Sequence, residues 1–201
     1  MTTPSDHDSR PTLVVFSGLP GTGKSELARQ VAGHLSIAVL SVDPIESAML
    51  RAGIAQSFET GLAAYLVVEA IADAQLALGQ SVIVDAVNGV EPAKAMWRTL
   101  ATKHRAPLKI VECVCSNEAL HRERLSARHR GLDYPEPTWE KVQERKLEYT
   151  AWTEPLLRVD SVDTCEANTA RVLAWLTMPW LQCPKAGRPS REPVPLGPHT
   201  R

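Results

Sequence analysis

Short apolar runs alternate along the chain with stretches in which apolar residues recur at helical spacing. Residues 13–17, LVVFS, are apolar, partly β-branched and stopped by Gly18, the pattern of a buried strand. Residues 24–35 place Leu27, Val31 and Leu35 on one helix face. Residues 37–42 read as a second strand ending at Asp43-Pro44. Pro44 suits the first turn of a helix over 45–52, with Asp43 before it as N-cap and Gly53 as its stop. Residues 60–78, rich in alanine and leucine, predict a long and mostly buried helix. A third strand, SVIV at 81–84, is followed by Asp85. A helix over 92–104, a fourth strand over 108–115 and a charged helix over 118–130 come next. After a proline break at 134–137, a polar helix covers 138–152, a fifth strand 156–159 and a last helix 166–176. Strands alternating with helices predict βαβ units, a parallel sheet and helices on both of its faces.

Composition narrows the class. The chain has 201 residues, 44% hydrophobic and 22% charged, which suits one domain with an ordinary core and argues against disorder or a disulfide scaffold. Residues 1–11 read as a disordered leader, 12–183 as the domain, and 184–201 as a flexible, proline-rich basic tail. Lysine plus arginine number 22 against 23 acids, a net charge of −1, so charge offers no basis for a nucleic-acid or polybasic membrane binder. Cys113, Cys115, Cys165 and Cys183 lack zinc-ligand spacing and read as reduced thiols, the first two on one strand face. The polar start MTTPSDHDSRPT has no signal-peptide core, and the apolar stretch 61–78 carries Glu69 and Asp73, so a cytoplasmic location is expected. The five tryptophans are expected in packing roles.

Gly18-Leu19-Pro20-Gly21-Thr22-Gly23-Lys24-Ser25 matches G-x-x-x-x-G-K-[ST], with a strand before it and a helix after it. Glycines let the backbone close around a polyphosphate, and the helix start adds its positive dipole end. Lys24 is expected to reach the β- and γ-phosphates of ATP, and the Ser25 hydroxyl to ligate Mg²⁺. The guanine-reading Asn-Lys-x-Asp stretch of GTPases is absent. The third strand ends in Asp85-Ala86, without the glutamate by which ATPases polarise water, which favours transfer to another acceptor.

In an open parallel sheet ligands sit beyond the carboxyl ends of the strands. Asp43 and Asp85 end the second and third strands there. Asp43 suits a general base, or a plain helix cap; Asp85 suits a Mg²⁺-side or acceptor-orienting carboxylate, or a turn residue. Asn88 is a candidate acceptor ligand or a turn residue. In the helix HRERLSARHR, Arg124 and Arg128 are four apart and share a face, and the glycine and prolines that follow suit a mobile lid.

GLPGTGKS, SVDP, VIVDAVN and HRERLSAR together resemble the small P-loop kinase superfamily. The likeness runs over about residues 13–176 and is nearest to the zeta-toxin and chloramphenicol-phosphotransferase-like group of AAA-type ATP-binding kinases, with polynucleotide-kinase-type domains nearby. It implies a P-loop NTPase fold of class α/β: a five-stranded parallel sheet, order 2-3-1-4-5, with an arginine-rich lid. It implies Asp43 as acceptor base, Asp85 at the end of the third strand, and Arg124 and Arg128, with Arg122 and Arg130, as lid arginines on the ATP phosphates. Acceptor choice would lie in residues 44–65, where Glu46 and Arg51 are candidates. The expected activity is ATP- and Mg²⁺-dependent transfer of the γ-phosphoryl group to a hydroxyl of a small metabolite or antibiotic. The alternatives are a polynucleotide 5′-hydroxyl kinase and a nucleotide-binding regulatory or toxin-like protein.

Overall fold

A computed structural model of the chain describes residues 10–128, 131–132 and 136–178. The first apolar run becomes β1 (Leu13–Ser17), buried at all five positions. It is the middle of a five-stranded, all-parallel sheet with β2 (Ala38–Ser41), β3 (Val82–Asp85), β4 (Leu108–Val114) and β5 (Leu156–Asp160), in the order β2-β3-β1-β4-β5. That is the expected architecture and order. The helices are α1 (Lys24–Leu35), α2 (Val42–Arg51), α3 (Phe58–Ala77), α4 (Glu91–His104), α5 (Glu118–Ser126), α6 (Trp139–Glu148) and α7 (Cys165–Leu176).

Period-two alternation along β1 feeds two cores. Leu13 and Val15 pack with Val68, Trp97 and Leu100 of α3 and α4. Val14 and Phe16 pack on the other face with Leu27, Val31, Val172 and Trp175 of α1 and α7. The register matters for function: Phe16 pairs with Asp85, Asp85 with Ser41, and Ser17 with Glu112, so four strands end side by side on one edge.

Three expectations change. The second helix starts at Val42 with Ser41 as N-cap, so Asp43 lies inside the first turn and does not cap it. Ser41 spends its hydroxyl on Asp85, not on the helix backbone, because the aligned strand ends put that carboxylate 2.9 Å away. The long helix buries only an i, i+4 stripe, Thr60, Ala64, Val68, Ala72 and Leu76, since one face alone meets the sheet; "mostly buried" does not hold. The charged helix ends at Ser126, two residues before Arg128. Arg130, Trp180, Cys183, residues 1–9 of the leader and the whole tail lie outside the described residues.

Candidate active site

The loop between β1 and α1 is built on close approach. Gly18 sits at φ 146, where a Cβ would lie 2.3 Å from the Cys113 carbonyl oxygen. Gly21, at φ 86, faces the His121 ring, and a Cβ there would come within 2.9 Å of it. His121, nearly buried on α5, has Nε2 2.7 Å from the Pro20 carbonyl oxygen; a carbonyl only accepts, so that nitrogen carries the proton. Thr22 Oγ1 donates to the Leu19 carbonyl at 2.8 Å. Gly23 opens α1 in the left-handed region with no side-chain cap, which leaves the first-turn N–H groups for an anion.

Lys24 is 4% exposed, and its Nζ lies 3.9 Å from Asp85 Oδ1. Asp85 Oδ2 accepts from Ser41, whereas Oδ1 is buried without a hydrogen-bond partner. A buried carboxylate oxygen left unsatisfied costs on the order of 1–3 kcal/mol or more, and a bound cation would relieve it. Ser25, the next residue after Lys24, lines a cleft with it. Among the described residues there is no cluster of three or more metal-ligating side chains. The oxygen donors of Asp85 and Ser25 are of the kind that would hold Mg²⁺, which takes one or two protein oxygens and fills its shell with phosphate and water.

The cleft, about 440 Å³, is lined by residues 21–25, Arg124, Arg128, Ser161, Cys165 and Asn168. The turn after β5 is set by the sheet: Asp160 Oδ1 accepts from the Ser116 and Val162 N–H groups at 3.1 Å, and Ser161 N donates to the Val114 carbonyl. Arg124 reaches that turn, donating to Ser161 O at 2.9 Å and Ser161 Oγ at 2.8 Å. Arg128, though outside the helix, lines the same wall. Its guanidinium lies 3.9 Å from Asp43 Oδ2 and 3.7 Å from Glu136 Oε2. Arg122 points elsewhere, 5.0 Å over the Trp139 ring and 3.9 Å from Glu118.

The structure places Asn88 in a packing role at the edge of the site. It is fully buried at φ 50, donates through Nδ2 to the Phe16 and Ala86 carbonyls, and accepts from Trp97 Nε1 at 2.8 Å. Both polar atoms of its side chain are thus engaged within the protein. Its backbone N–H donates to the Tyr65 hydroxyl at 3.3 Å. Burial pushes the Tyr65 phenol up to about 12, and the Asp43 and Asp85 charges act in the same direction, so it keeps its proton beside those acids. Glu46 lies across from Gly61 of α3 and Arg51 is exposed at the end of α2; neither lines the nucleotide-sized cleft.

Several residues of this neighbourhood carried no sequence signal. Ser17 Oγ donates to the Val87 carbonyl and is met by the Tyr149 hydroxyl at 2.5 Å and by Trp152 Nε1 at 3.2 Å. Lys94, fully buried on α4, donates to the Thr150 carbonyl and hydroxyl and lies 5.0 and 5.2 Å from the Tyr149 and Trp152 rings. Burial lowers its pKa. These contacts tie the segment after α6 to the end of β1. A lysine at an ordinary helix position gives no hint of that in sequence.

The sheet order, the glycine loop and the lysine-bearing helix start define a protein of P-loop NTPase fold. The chain belongs to the AAA domain family AAA_33, whose model matches residues 13–149. No protein of curated function matches it. Among solved structures it is similar to the Mycobacterium tuberculosis APS kinase CysC in complex with AMPPNP and APS (21% identity, 84% of this chain and 99% of that one, TM-score 0.65). It is also similar to a sugar kinase from Janibacter sp. HTCC2649 (20% identity, 83% and 94%, TM-score 0.62). A third likeness is Chaetomium thermophilum Kti12 in complex with ADP-AlF3 (21% identity, 82% and 96%, TM-score 0.62). At this level of identity the likenesses establish the fold.

Proposed function

We propose that the chain is an ATP- and Mg²⁺-dependent phosphotransferase that moves the γ-phosphoryl group to a hydroxyl of a small molecule. One observation carries the reading: Arg128 lines the nucleotide-sized cleft and lies 3.9 Å from the carboxylate of Asp43, so phosphate site and candidate base are one guanidinium apart. The nucleotides named for two of the structural neighbours, AMPPNP and ADP-AlF3, support ATP as the donor.

In this reading the uncapped start of α1 and Lys24 hold the phosphates, while Ser25 and Asp85 hold the metal, which offsets phosphate charge when bound. Arg124 and Arg128 face the phosphates from the opposite wall. Asp43 takes the acceptor hydroxyl proton as the acceptor oxygen bonds to the γ-phosphorus and the bond to the β-phosphate oxygen breaks, releasing ADP. Arg128 lies between Asp43 and the phosphate site and can turn to either. The resemblance to the zeta-toxin and chloramphenicol-phosphotransferase-like group supports Asp43 in this role and a hydroxylated metabolite or antibiotic as acceptor.

The test is a panel of hydroxylated metabolites and antibiotics incubated with ATP and Mg²⁺ and read by mass for gain of one phosphoryl group. Asp43→Asn is expected to keep its nucleotide affinity and lose transfer by about 10²-fold or more. Lys24→Ala is expected to lose nucleotide binding itself. Transfer by Asp43→Asn at the wild-type rate would remove Asp43 from the chemistry. Labelling of 5′-hydroxyl oligonucleotides in place of small molecules would favour the polynucleotide reading.

A further inference from the structure

α3 is the most apolar of the described helices, and large apolar side chains occur on every side of it. Such a helix belongs inside a protein, yet its outer half is uncovered. Phe58 is 80% exposed, and Leu62, Leu66, Val67, Ile71 and Leu78 are all exposed with it. At about 100° per residue, the direction opposite the buried stripe is taken by Ala70 and Ala77, with half-buried Ala63 and exposed Leu66 beside them and Glu59 on the same line in the first turn. A central line of small side chains flanked by large ones is the relief into which a second helix settles closely.

We propose that this face pairs with the same face of a second copy of the chain, α3 against α3, antiparallel about a two-fold axis at Ala70. Three observations select that occupant. The first is self-complementarity, which a two-fold contact requires. An axis at Ala70 sets Ala63 against the partner's Ala77, and Leu66 against the partner's Ala74, large against small.

The second is area. The exposed apolar side chains offer on the order of 600 Å² per copy, at the upper end for a monomer's largest apolar patch and at the lower end of what each partner gives to a specific dimer. The third is charge. No lysine or arginine occurs between Arg51 and Lys94, and Glu59, Glu69 and Asp73 edge the helix, so it lacks the basic flank that holds an amphipathic helix on anionic lipid. Asp73, the acid nearest the proposed axis, is already met by Lys103 at 2.8 Å and His104 at 2.5 Å, so two copies bring no uncompensated acids together there.

The pairing is independent of the chemistry proposed above, since Tyr65 and the cleft lie on the inner side of the helix. The test is sedimentation of the full chain at about 50 µM, with nucleotide-induced thermal stabilisation as a control for folding. The wild type is expected at twice its 22.0 kDa mass. Ala70→Glu, which sets two like charges on the axis, is expected as a monomer with the same response to nucleotide. Leu66→Ser, which adds no charge, is expected to weaken the dimer at least tenfold. A wild type that sediments as a monomer overturns the proposal, whether or not it floats with phosphatidylserine vesicles. So does an Ala70→Glu variant that folds and remains dimeric.

Discussion

Asn88 shows what a single residue does at the edge of this site. Its side chain joins the end of β1 to the end of β3 and accepts from Trp97. Its φ of 50 lies in the left-handed region that asparagine tolerates better than most residues. Asn88→Ala leaves two buried carbonyls and an indole N–H with fewer partners, so it is expected to cost about 2–4 kcal/mol in urea unfolding. Nucleotide affinity measured on the folded fraction should change little. A variant of native stability with impaired transfer would return Asn88 to the substrate. The sequence showed an asparagine before a glycine and no more, because the need for its amide comes from Trp97 on another element. The loop residues from Gly18 to Ser25 were legible for the opposite reason: their roles are local, set by backbone conformation and by one strand-to-helix turn.

Among the elements, α1 shows how far local rules reach. Gly18, just after β1, and Gly33, in the last turn of α1, respond oppositely to the same change. At Gly18 a Cβ meets a backbone carbonyl of β4 at 2.3 Å with φ at 146, so Gly18→Ala is expected to lose nucleotide binding or fail to fold. At Gly33, exposed inside α1, a Cβ meets nothing within 4 Å, so Gly33→Ala is expected to add about 0.5–1 kcal/mol of stability with nucleotide affinity unchanged. Urea titration of the pair separates the two effects, and a destabilised Gly33→Ala would mean that α1 is strained there. Helix and strand positions followed from periodicity to within a few residues. The start of α2 did not: Asp43-Pro44 looks like a cap followed by a first turn, but the helix begins earlier because Ser41 is drawn to Asp85 on the neighbouring strand. The exposure of α3 was equally hidden, since a helix apolar on every side carries no periodic mark of the face that meets the sheet.

At the scale of the whole molecule, the cleft is where parts distant in sequence meet. Its walls come from the start of α1, from Arg124 and Arg128 on the α5 side, and from the turn between β5 and α7. The strand order that assembles them was not readable from hydropathy, which is blind to which strands neighbour each other; it was implied by the resemblance carried by GLPGTGKS and its companions. A ligand that bridges these walls must stabilise the fold as a whole. At a concentration about 100 times its dissociation constant, Mg²⁺-ATP adds about 2.7 kcal/mol, or roughly 5–10 °C in Tm for a domain of this size. The metal should supply much of that gain. In the proposed site Lys24 and the two arginines attract the phosphates, but the buried Asp85 carboxylate, whose Oδ1 has Lys24 at 3.9 Å and no hydrogen bond, repels them unless a cation lies between. With EDTA present the shift is expected to fall by at least half. In Ser25→Ala the response to ATP alone should persist while the extra response to Mg²⁺ shrinks, because the variant loses the proposed metal ligand and keeps the phosphate cradle. Equal shifts with and without Mg²⁺ would mean that the orphaned oxygen of Asp85 serves Lys24 alone, and that the metal has no place on this edge of the sheet.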